Sequence, residues 1–503
     1  MDYKERIFQR EGARFPGKTY AEAVLEPAFS EAKTHLLTPM MAINKAHLIM
    51  LREQKLITED EAKAIARALT AIDLDGLRRS AYTGQFEDLF FQVESRLLEL
   101  AGDVAGNLHL ARSRNDMGVT IYRMVLREKL LATLASALSL KEHLLLFAQE
   151  HTETVMIGYT HTQQAQPTTM AHYITAVADS LSRDIRRLIS AYRTCNRSPM
   201  GAAALTTSGF PISRERMRQL LAFDELVENS YDAIGGADYL GETAAAVQVA
   251  AINLGRTVQD MLQWCTQEFD VLKVADPYVQ ISSIMPQKRN PVSFEHMRSM
   301  LSSSAGNAAV VLTMMHNTPF GDIVDTEDDM QPYAWRSLSV LEQMYRLMAC
   351  VVGTMDVNKE GLLERTKGSF ATVTELADTL VRIDRLSFRT AHHIVSRVVK
   401  EAAAQGLRAD QISLELVNQA ALAVIGRTLT ITDEQLRQAL DPVYFVAVRK
   451  LPGGPNADEM KRMIGERKQS LQAEMAWLKQ AREACDQAMR YLDQVMAEWS
   501  ERK

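Results

Sequence analysis

The sequence has few cysteines, and none of them lie at the close spacing that zinc sites use. Its 503 residues include four cysteines and no CxxC pair. Structural zinc and a disulfide framework are therefore not expected, and we predict a reduced, cytoplasmic protein. The chain also has no excess of positive charge, since its formal net charge is −6. That balance argues against nucleic acid as a partner.

Long apolar runs are missing as well. No stretch of about 18 uncharged apolar residues occurs, so no membrane span is expected. The start, "MDYKERIFQREGARFPG", is charged throughout and lacks the apolar core of a signal peptide. The sequence also lacks a metal-ligand cluster, a phosphate-cradling glycine loop and a GxSxG elbow. Metal, nucleotide and serine-hydrolase chemistry are thus not indicated.

Helical periodicity dominates what is present, and strand-like runs are short and weak. A helix–turn–helix is predicted over 46–72, where Thr58 and Glu61 have capping-box spacing. Helices of about 25–30 residues would reach about 40 Å and pack best side by side as a bundle. We predict an all-α fold whose long segments are 115–148, 170–193, 240–268 and 291–316.

The stretch "GETAAAVQVAAINLG" is apolar on every side of a helix. Such a helix needs burial on every side, which favours a bundle shared between subunits. The alternative is a monomer with a thick core. We predict three regions: an N-terminal helical domain (1–112), a central bundle domain (113–364) with a catalytic loop around 280–292, and a small C-terminal helical domain (365–503).

Three polar clusters lie at the ends of the predicted bundle helices. The first, "LHLARSRNDMG" (108–118), could receive a carboxylate, or could be an ordinary cap formed by Asn115 or Asp116. The second, "GYTHTQQAQPTT" (158–169), offers His161 as a proton carrier near neutral pH, unless it is an idle loop histidine. The third, "ISSIMPQKRNPV" (281–292), is a proline-bracketed loop that could also be a plain solvated turn.

Together these clusters provide anion receptors, a histidine, serines and a lysine. That set suits removal of a proton from carbon next to a carboxylate, because fixed cations and N–H donors stabilise the charge that develops. A mobile serine loop could close on the substrate and exclude water.

These motifs resemble a known family. "SSIMPQKRNP" looks like the mobile-loop signature of the fumarase/aspartase superfamily, and "RSRND", "GYTHTQQAQP" and "MPQK" are most similar to argininosuccinate lyase. The resemblance covers nearly the whole chain, including "LDPVYFVAVRKLPGGP" near the C-terminus. It implies a fumarase/aspartase-like fold, a homotetramer with a central long-helix bundle, active sites shared between three subunits, a small dicarboxylate substrate, and no metal or organic cofactor.

The resemblance also implies roles for individual residues. Ser282 is the expected base, with Ser283 the second candidate, and His161 orients the leaving nitrogen or relays a proton to it. Lys288 and Asn290 would hold the carboxylate whose charge rises. The remaining expected substrate contacts are Ser113, Arg114, Asn115, Thr160, Met285 and Gln287.

The chain departs from the family pattern around the leaving group. Ile281 replaces the usual glycine before the two serines, and Ala237 in "NSYDAIGGAD" stands at the family's arginine position. Phe320 lies near the tyrosine position of a distal pocket, and acids replace its glutamine and lysine in "FGDIVDTEDDMQP" (320–332). Alternatively, the ungapped alignment of 320–332 is displaced and the pocket is ordinary.

An acidic strip should repel the carboxylate of an arginine moiety and favour a cationic amine or polyamine. We therefore predict a carbon–nitrogen lyase that releases fumarate from an N-substituted aspartate other than argininosuccinate, as ethylenediamine-disuccinate lyases do. The alternatives are argininosuccinate lyase proper, a cousin such as adenylosuccinate lyase, and a non-catalytic crystallin-like homologue.

Overall fold

The computed structural model describes residues 2–501. Helices of the N-terminal part precede a bundle of long helices, as the periodicity predicts. The N-terminal helices are α1 (Tyr3–Glu11), α2 (Lys18–Tyr20), α3 (Glu26–His35), α4 (Leu37–Glu53), α5 (Glu59–Ala71), α6 (Leu74–Arg79) and α7 (Leu89–Ala101). Thr58 caps α5 with the expected capping box, since its hydroxyl accepts from the Glu61 N–H.

The central bundle contains five long helices, which are α8 (Arg114–Glu150), α9 (Met170–Cys195), α12 (Asp238–Trp264), α13 (Val292–Met315) and α14 (Gln331–Val352). Shorter helices lie between and after them: α10 (Arg214–Leu220), α11 (Ser230–Gly235) and α15 (Lys359–Gly368). The predicted all-α fold is confirmed. Helix α8 has the length and composition of a membrane span, but it is the core helix of the bundle and packs against α9, α14 and the last helix.

The strands are short and pair two by two. Antiparallel pairs join β1 (Val155–Thr160) to β2 (Gln163–Thr169), β5 (Leu272–Lys273) to β8 (Asp356–Val357), and β6 (Gln280–Ile281) to β7 (Arg289–Asn290). The parallel pair is β3 (Arg197–Ser198) with β4 (Glu225–Leu226). Two of the polar clusters lie on these pairs: 158–169 on β1–β2, and 281–292, which was predicted as a loop, on β6–β7.

The C-terminal region has two structurally different parts. Helices α16 (Val373–Asp384), α17 (Phe388–Ala404), α18 (Leu414–Ile425), α19 (Asp433–Leu440) and α20 (Pro442–Ala447) follow the bundle, and the first four enclose a separate core. Helix α21 (Ala457–Glu501) instead returns to the bundle and packs on α5 and α8. The predicted domain 365–503 therefore combines a small helical unit with a helix that belongs to the main core.

Apolar side chains remain exposed on one face of the bundle. Val249 and Ile252 of α12 are 38% and 52% exposed. An open groove between α9, α12 and α13 lies beside them, lined by small residues such as Ala176, Ala251 and Ala305. The rest of α12 is buried, so the helix has one uncovered apolar face in the single chain. Such a face is expected for a helix that packs against another subunit.

Candidate active site

The first polar cluster forms the N-terminus of α8. Ser113 is the N-cap residue: its N–H donates to Asp116 Oδ1 at 2.9 Å, and its hydroxyl accepts from the Asn115 N–H at 3.3 Å. The Ser113 hydroxyl also donates to Asn115 Oδ1 at 3.0 Å. The cap therefore fixes the Asn115 amide at a helix terminus that carries partial positive charge.

Two residues of this cluster serve the fold. The Arg112 guanidinium donates to Asn44 Oδ1 at 2.7 Å, and desolvation lowers the pKa of Arg112 to about 10. Asp116 is fully buried and accepts from the N–H groups of Gly201 and Ala203 at 2.9 and 3.0 Å. Burial raises the pKa of Asp116 to about 6, against the opposing effect of these hydrogen bonds. Ser113, Arg114 and Asn115 are left as candidate ligands for a substrate.

Arg114 and Asn115 contact carboxylates of their own chain. Arg114 donates to Asp88 Oδ2 at 2.9 Å, lies near Glu87, and stacks over the Phe91 ring at 4.9 Å. The Asn115 amide nitrogen donates to Asp322 Oδ2 at 2.6 Å. The pairing of Arg114 with Glu87 and Asp88 was not predicted from the sequence. The acidic dipeptide before an apolar helix was the available signal.

The acidic strip, which consists of the acids within residues 320–332, lies beside Asn115. Asp322 is followed by a π-helical turn over Asp325–Asp329. Burial, followed by the neighbouring Asp322 carboxyl group, raises the pKa of Glu327. Tyr122 donates to Asp328 at 2.9 Å, while burial raises the pKa of Asp328. The site end of α8 is thus lined by carboxyl groups, two of which have pKa values raised by burial.

The second cluster forms the tip of the β1–β2 hairpin. Thr160 pairs with Gln163, and the two residues between them, His161 and Thr162, have φ values of +51° and +63°. Two left-handed residues in succession are typical of a tight two-residue hairpin turn. Thr160 and His161 are exposed there. A hydrogen bond from Gln166 to Thr374 at 3.2 Å ties the hairpin to the C-terminal unit.

The third cluster is the connection between β6 and β7. The Ser282 hydroxyl accepts from the N–H groups of Met285 and Ile284 at 3.1 and 3.4 Å. Two N–H donors on one oxygen stabilise negative charge there, which a serine needs in order to act as a base. Asn290 pairs with Gln280 at the base of this loop. Four of the predicted residues are exposed at its tip: Ser283, Met285, Gln287 and Lys288.

The three clusters lie at two ends of the bundle. Helix α8 has 37 residues and separates Asn115 from the hairpin by about 55 Å. Tyr173 near the start of α9 contacts Trp264 at the end of α12, and Arg298 near the start of α13 donates to Gln259 of α12. The hairpin before α9 and the serine loop before α13 therefore lie at the same end of the bundle. A single chain therefore brings Asn115 to the acidic strip, and does not bring it to His161 or Ser282.

The family models and the relatives that match this chain are lyases. A lyase family model matches residues 17–306, and an argininosuccinate lyase C-terminal model matches residues 370–447. Argininosuccinate lyase 2 of Agrobacterium fabrum is 41% identical over 455 residues, covering 90% of each chain. Argininosuccinate lyase 1 of Shouchella clausii is 36% identical over 480 residues, covering 95% of this chain and 96% of that protein.

Solved structures agree in fold. EDDS lyase in complex with formate matches with a TM-score of 0.85 and 30% identity, covering all of this chain and 99% of that one. Recombinant class II fumarase from Schistosoma mansoni matches with a TM-score of 0.66 and 16% identity, covering 86% of this chain and 95% of that one. This second likeness concerns the fold alone.

Proposed function

The chain belongs to the argininosuccinate lyase family of the fumarase/aspartase superfamily, and from this premise we propose which substrate it cleaves and how. The protein is a lyase that breaks a carbon–nitrogen bond and releases fumarate. We propose that its substrate is an N-substituted aspartate other than argininosuccinate, with a cationic amine as leaving group. We also propose that the protein acts in the cytoplasm, as its low cysteine content led us to expect.

The hydrogen bond between Asn115 and Asp322 is the observation that carries this proposal. Asn115 is expected to bind the succinyl part, so the carboxylate bonded to it lies next to the substrate. Like charges placed together cost several kcal/mol, so acids of the 320–332 segment that face the leaving group would disfavour the carboxylate of an arginine moiety. A cationic amine would gain from the same acids. The alternative, argininosuccinate lyase proper, is favoured by the two curated relatives above.

In the proposed reaction Ser282, as its alkoxide, removes a proton from the carbon next to a carboxylate of the succinyl group. The electron pair moves onto that carboxyl group, where Lys288 and Asn290 stabilise it. It then forms the carbon–carbon double bond as the carbon–nitrogen bond breaks. The leaving nitrogen takes a proton from His161, and the products are fumarate and an amine. Met285 supports the alkoxide through its backbone N–H.

The remaining expected contacts hold the substrate still. Ser113, Arg114 and Asn115 would grip the succinyl carboxylates, and Thr160 would bind a carboxylate from the hairpin side. Ser283 is the second candidate for the base. Gln287 and Met285 would cover the substrate when the loop closes and water leaves the site.

This chemistry requires more than one subunit. The span of α8, about 55 Å, supports a site in which Asn115 comes from a different chain than His161 and Ser282. In the proposed homotetramer the three residues come from three different chains. The uncovered apolar face of α12 supports packing of the bundles against each other.

Fumarate release tests the proposal. The purified protein is incubated with argininosuccinate and with a panel of N-alkyl and N-aminoalkyl aspartates, and fumarate is followed by its ultraviolet absorbance. We expect turnover of an aminoalkyl aspartate and little from argininosuccinate. The Ser282→Ala variant serves as the matched control without a base. Preference for argininosuccinate would favour the alternative, and no fumarate from any compound would refute the lyase assignment.

A further inference from the structure

Arg289 ties the base of the serine loop (282–288) to the segment that precedes β6. Its guanidinium donates to the Val274 carbonyl oxygen at 3.0 Å and pairs with Asp276 Oδ1 at 2.5 Å. Val274 is buried, whereas the Asp276 side chain is 83% exposed. An exposed ion pair contributes little to stability, so the bond to the buried carbonyl is the stronger attachment. Arg289 takes no part in the reaction proposed above.

The segment that accepts this bond belongs to the main core. Strand β5 pairs with β8, and the N–H of Asn358, just after β8, donates to the Val271 carbonyl oxygen at 3.0 Å. Val271 and Val274 are both buried in the core formed by the bundle helices. Val274 therefore offers a fixed acceptor, and its bond holds Arg289 at a defined position relative to the bundle.

The tip of the loop is not attached in this way. In the part of the chain that the structure describes, the hydrogen bonds of residues 282–288 stay within the loop. The N–H groups of Ile284 and Met285 donate to the Ser282 hydroxyl, and the Lys288 N–H donates to the Met285 carbonyl oxygen. Ile284 is 83% exposed. The loop therefore has a fixed base and a tip without bonds to the core.

Arg289 lies between two residues that have proposed roles in the reaction. Lys288 and Asn290 are the proposed partners of the carboxylate whose charge rises. Successive side chains of a strand point to opposite faces, so Asn290 in β7 faces away from the side on which Arg289 meets Val274. The bond of Arg289 therefore sets the orientation of its neighbours. A shift of about 1 Å in such groups can cost about a hundredfold in rate.

We propose that Arg289 is a positioning residue, which holds Lys288 and Asn290 in place to stabilise charge in the transition state. This rests on the proposed function, in which these two side chains stabilise the charge that develops on the carboxyl group. Arg289 itself does not contact the substrate. Its loss should therefore lower kcat and leave KM nearly unchanged, because that charge is present in the transition state and not in the bound substrate.

The test measures the kinetics of Arg289→Met with the compound of the aspartate panel that wild type cleaves best. We expect kcat to fall about 10–100-fold and KM to change less than about threefold. Asp276→Asn alters the exposed partner alone and should change kcat less than about twofold. Arg437→Met is the matched control, since Arg437 pairs with Asp433 at 2.7 Å on the C-terminal unit.

Hydrogen exchange reports on the position of the loop directly. Peptides that cover residues 278–292 should exchange faster in Arg289→Met, while peptides of the bundle helices keep their wild-type rates. Faster exchange throughout the protein would indicate a general loss of stability and would contradict the inference. If Arg289→Met does not fold, Arg289→Lys replaces it. Lysine keeps the charge but has no fork to reach two acceptors, so kcat should still fall about fivefold, and wild-type kcat in that variant contradicts the inference.

The outcomes separate this inference from the proposed function. Wild-type kcat in Arg289→Met overturns the inference and leaves the lyase assignment standing. A raised KM with unchanged kcat also overturns it, because Arg289 would then bind the substrate itself. Full activity of Lys288→Met would remove the proposed role of Lys288 and overturn both, as would the absence of fumarate from wild type with every compound.

Discussion

Mixing two inactive variants of this protein should restore activity. Asn115→Ala removes the proposed succinyl contact at one end of the bundle, and Ser282→Ala removes the proposed base at the other end. Helix α8, with 37 residues, separates the two ends by about 55 Å. A site can therefore use both residues only when they come from different chains. Each variant alone should be inactive, since every site in the proposed homotetramer would lack one of the two groups.

The size of the recovery follows from the geometry. With equal amounts of both variants and random assembly, each residue of a site comes from an intact chain about half of the time. About one quarter of the sites then hold both residues, so specific activity should recover to about one quarter of wild type. The assay is fumarate release after the two proteins are unfolded together and refolded.

A second mixture controls for assembly. The double variant Asn115→Ala/Ser282→Ala is mixed with wild type in equal amounts. If the two residues come from different chains, about one quarter of the activity remains, and if they come from one chain, about one half remains. Activity no higher than the sum of the separate variants in the first mixture, with one half in the second, would refute the shared site.

Three further predictions concern single residues. Ser282→Ala should abolish turnover while the tetramer and substrate binding, measured by calorimetry, stay intact; retained turnover would move the base to Ser283 or His161. Asp116→Ala leaves the buried N–H groups of Gly201 and Ala203 without an acceptor, so urea unfolding should show a loss of about 2–4 kcal/mol; a wild-type midpoint would contradict this. Burial lowers the pKa of His47 to about 3, below its unfolded value, so the unfolded state binds the proton first as pH falls. The free energy of unfolding should thus decrease as pH falls from about 6.5, by about 2 kcal/mol at pH 5. His47→Gln should remove this decrease, and an unchanged pH profile in the variant would contradict the prediction.

The bundle was largely predictable from the sequence. The stripe from Met170 to Leu188 and the predicted segments 115–148 and 291–316 match α9, α8 and α13 within a few residues. Long apolar periodicity and capping residues such as Thr58 act locally, so they can be recognised without the rest of the fold.

Helix α21 was harder to foresee. Its buried residues Leu471, Leu478, Cys485 and Leu492 recur every seven positions, a narrow seam among many charges. A seam this sparse gives a weak local signal, and its burial depends on α5 and α8, which lie far away in sequence.

The β1–β2 hairpin was also hard to predict from the sequence. His161 and Thr162 adopt left-handed backbone without the Asn-Gly or Gly residues that signal such a turn. Burial of β1 and the contact with the C-terminal unit hold it instead.

Site residues were predictable as motifs, and their partners were not. Nothing near Asn115 in the sequence points to Asp322, 207 positions away. That contact arises because the segment after α13 passes the start of α8. The substitution of acids for the family's polar residues was visible in the sequence, whereas the ring contact between Tyr231 and Phe320 required the structure.

A crystal structure of the Ser282→Ala protein with its N-substituted aspartate bound would show whether three chains build one site. We expect one succinyl group held by Asn115 of one chain, the His161 hairpin of a second chain and the serine loop of a third. Binding of the succinyl group by residues of one chain alone, or with Asn115 and the serine loop in separate places, would contradict it.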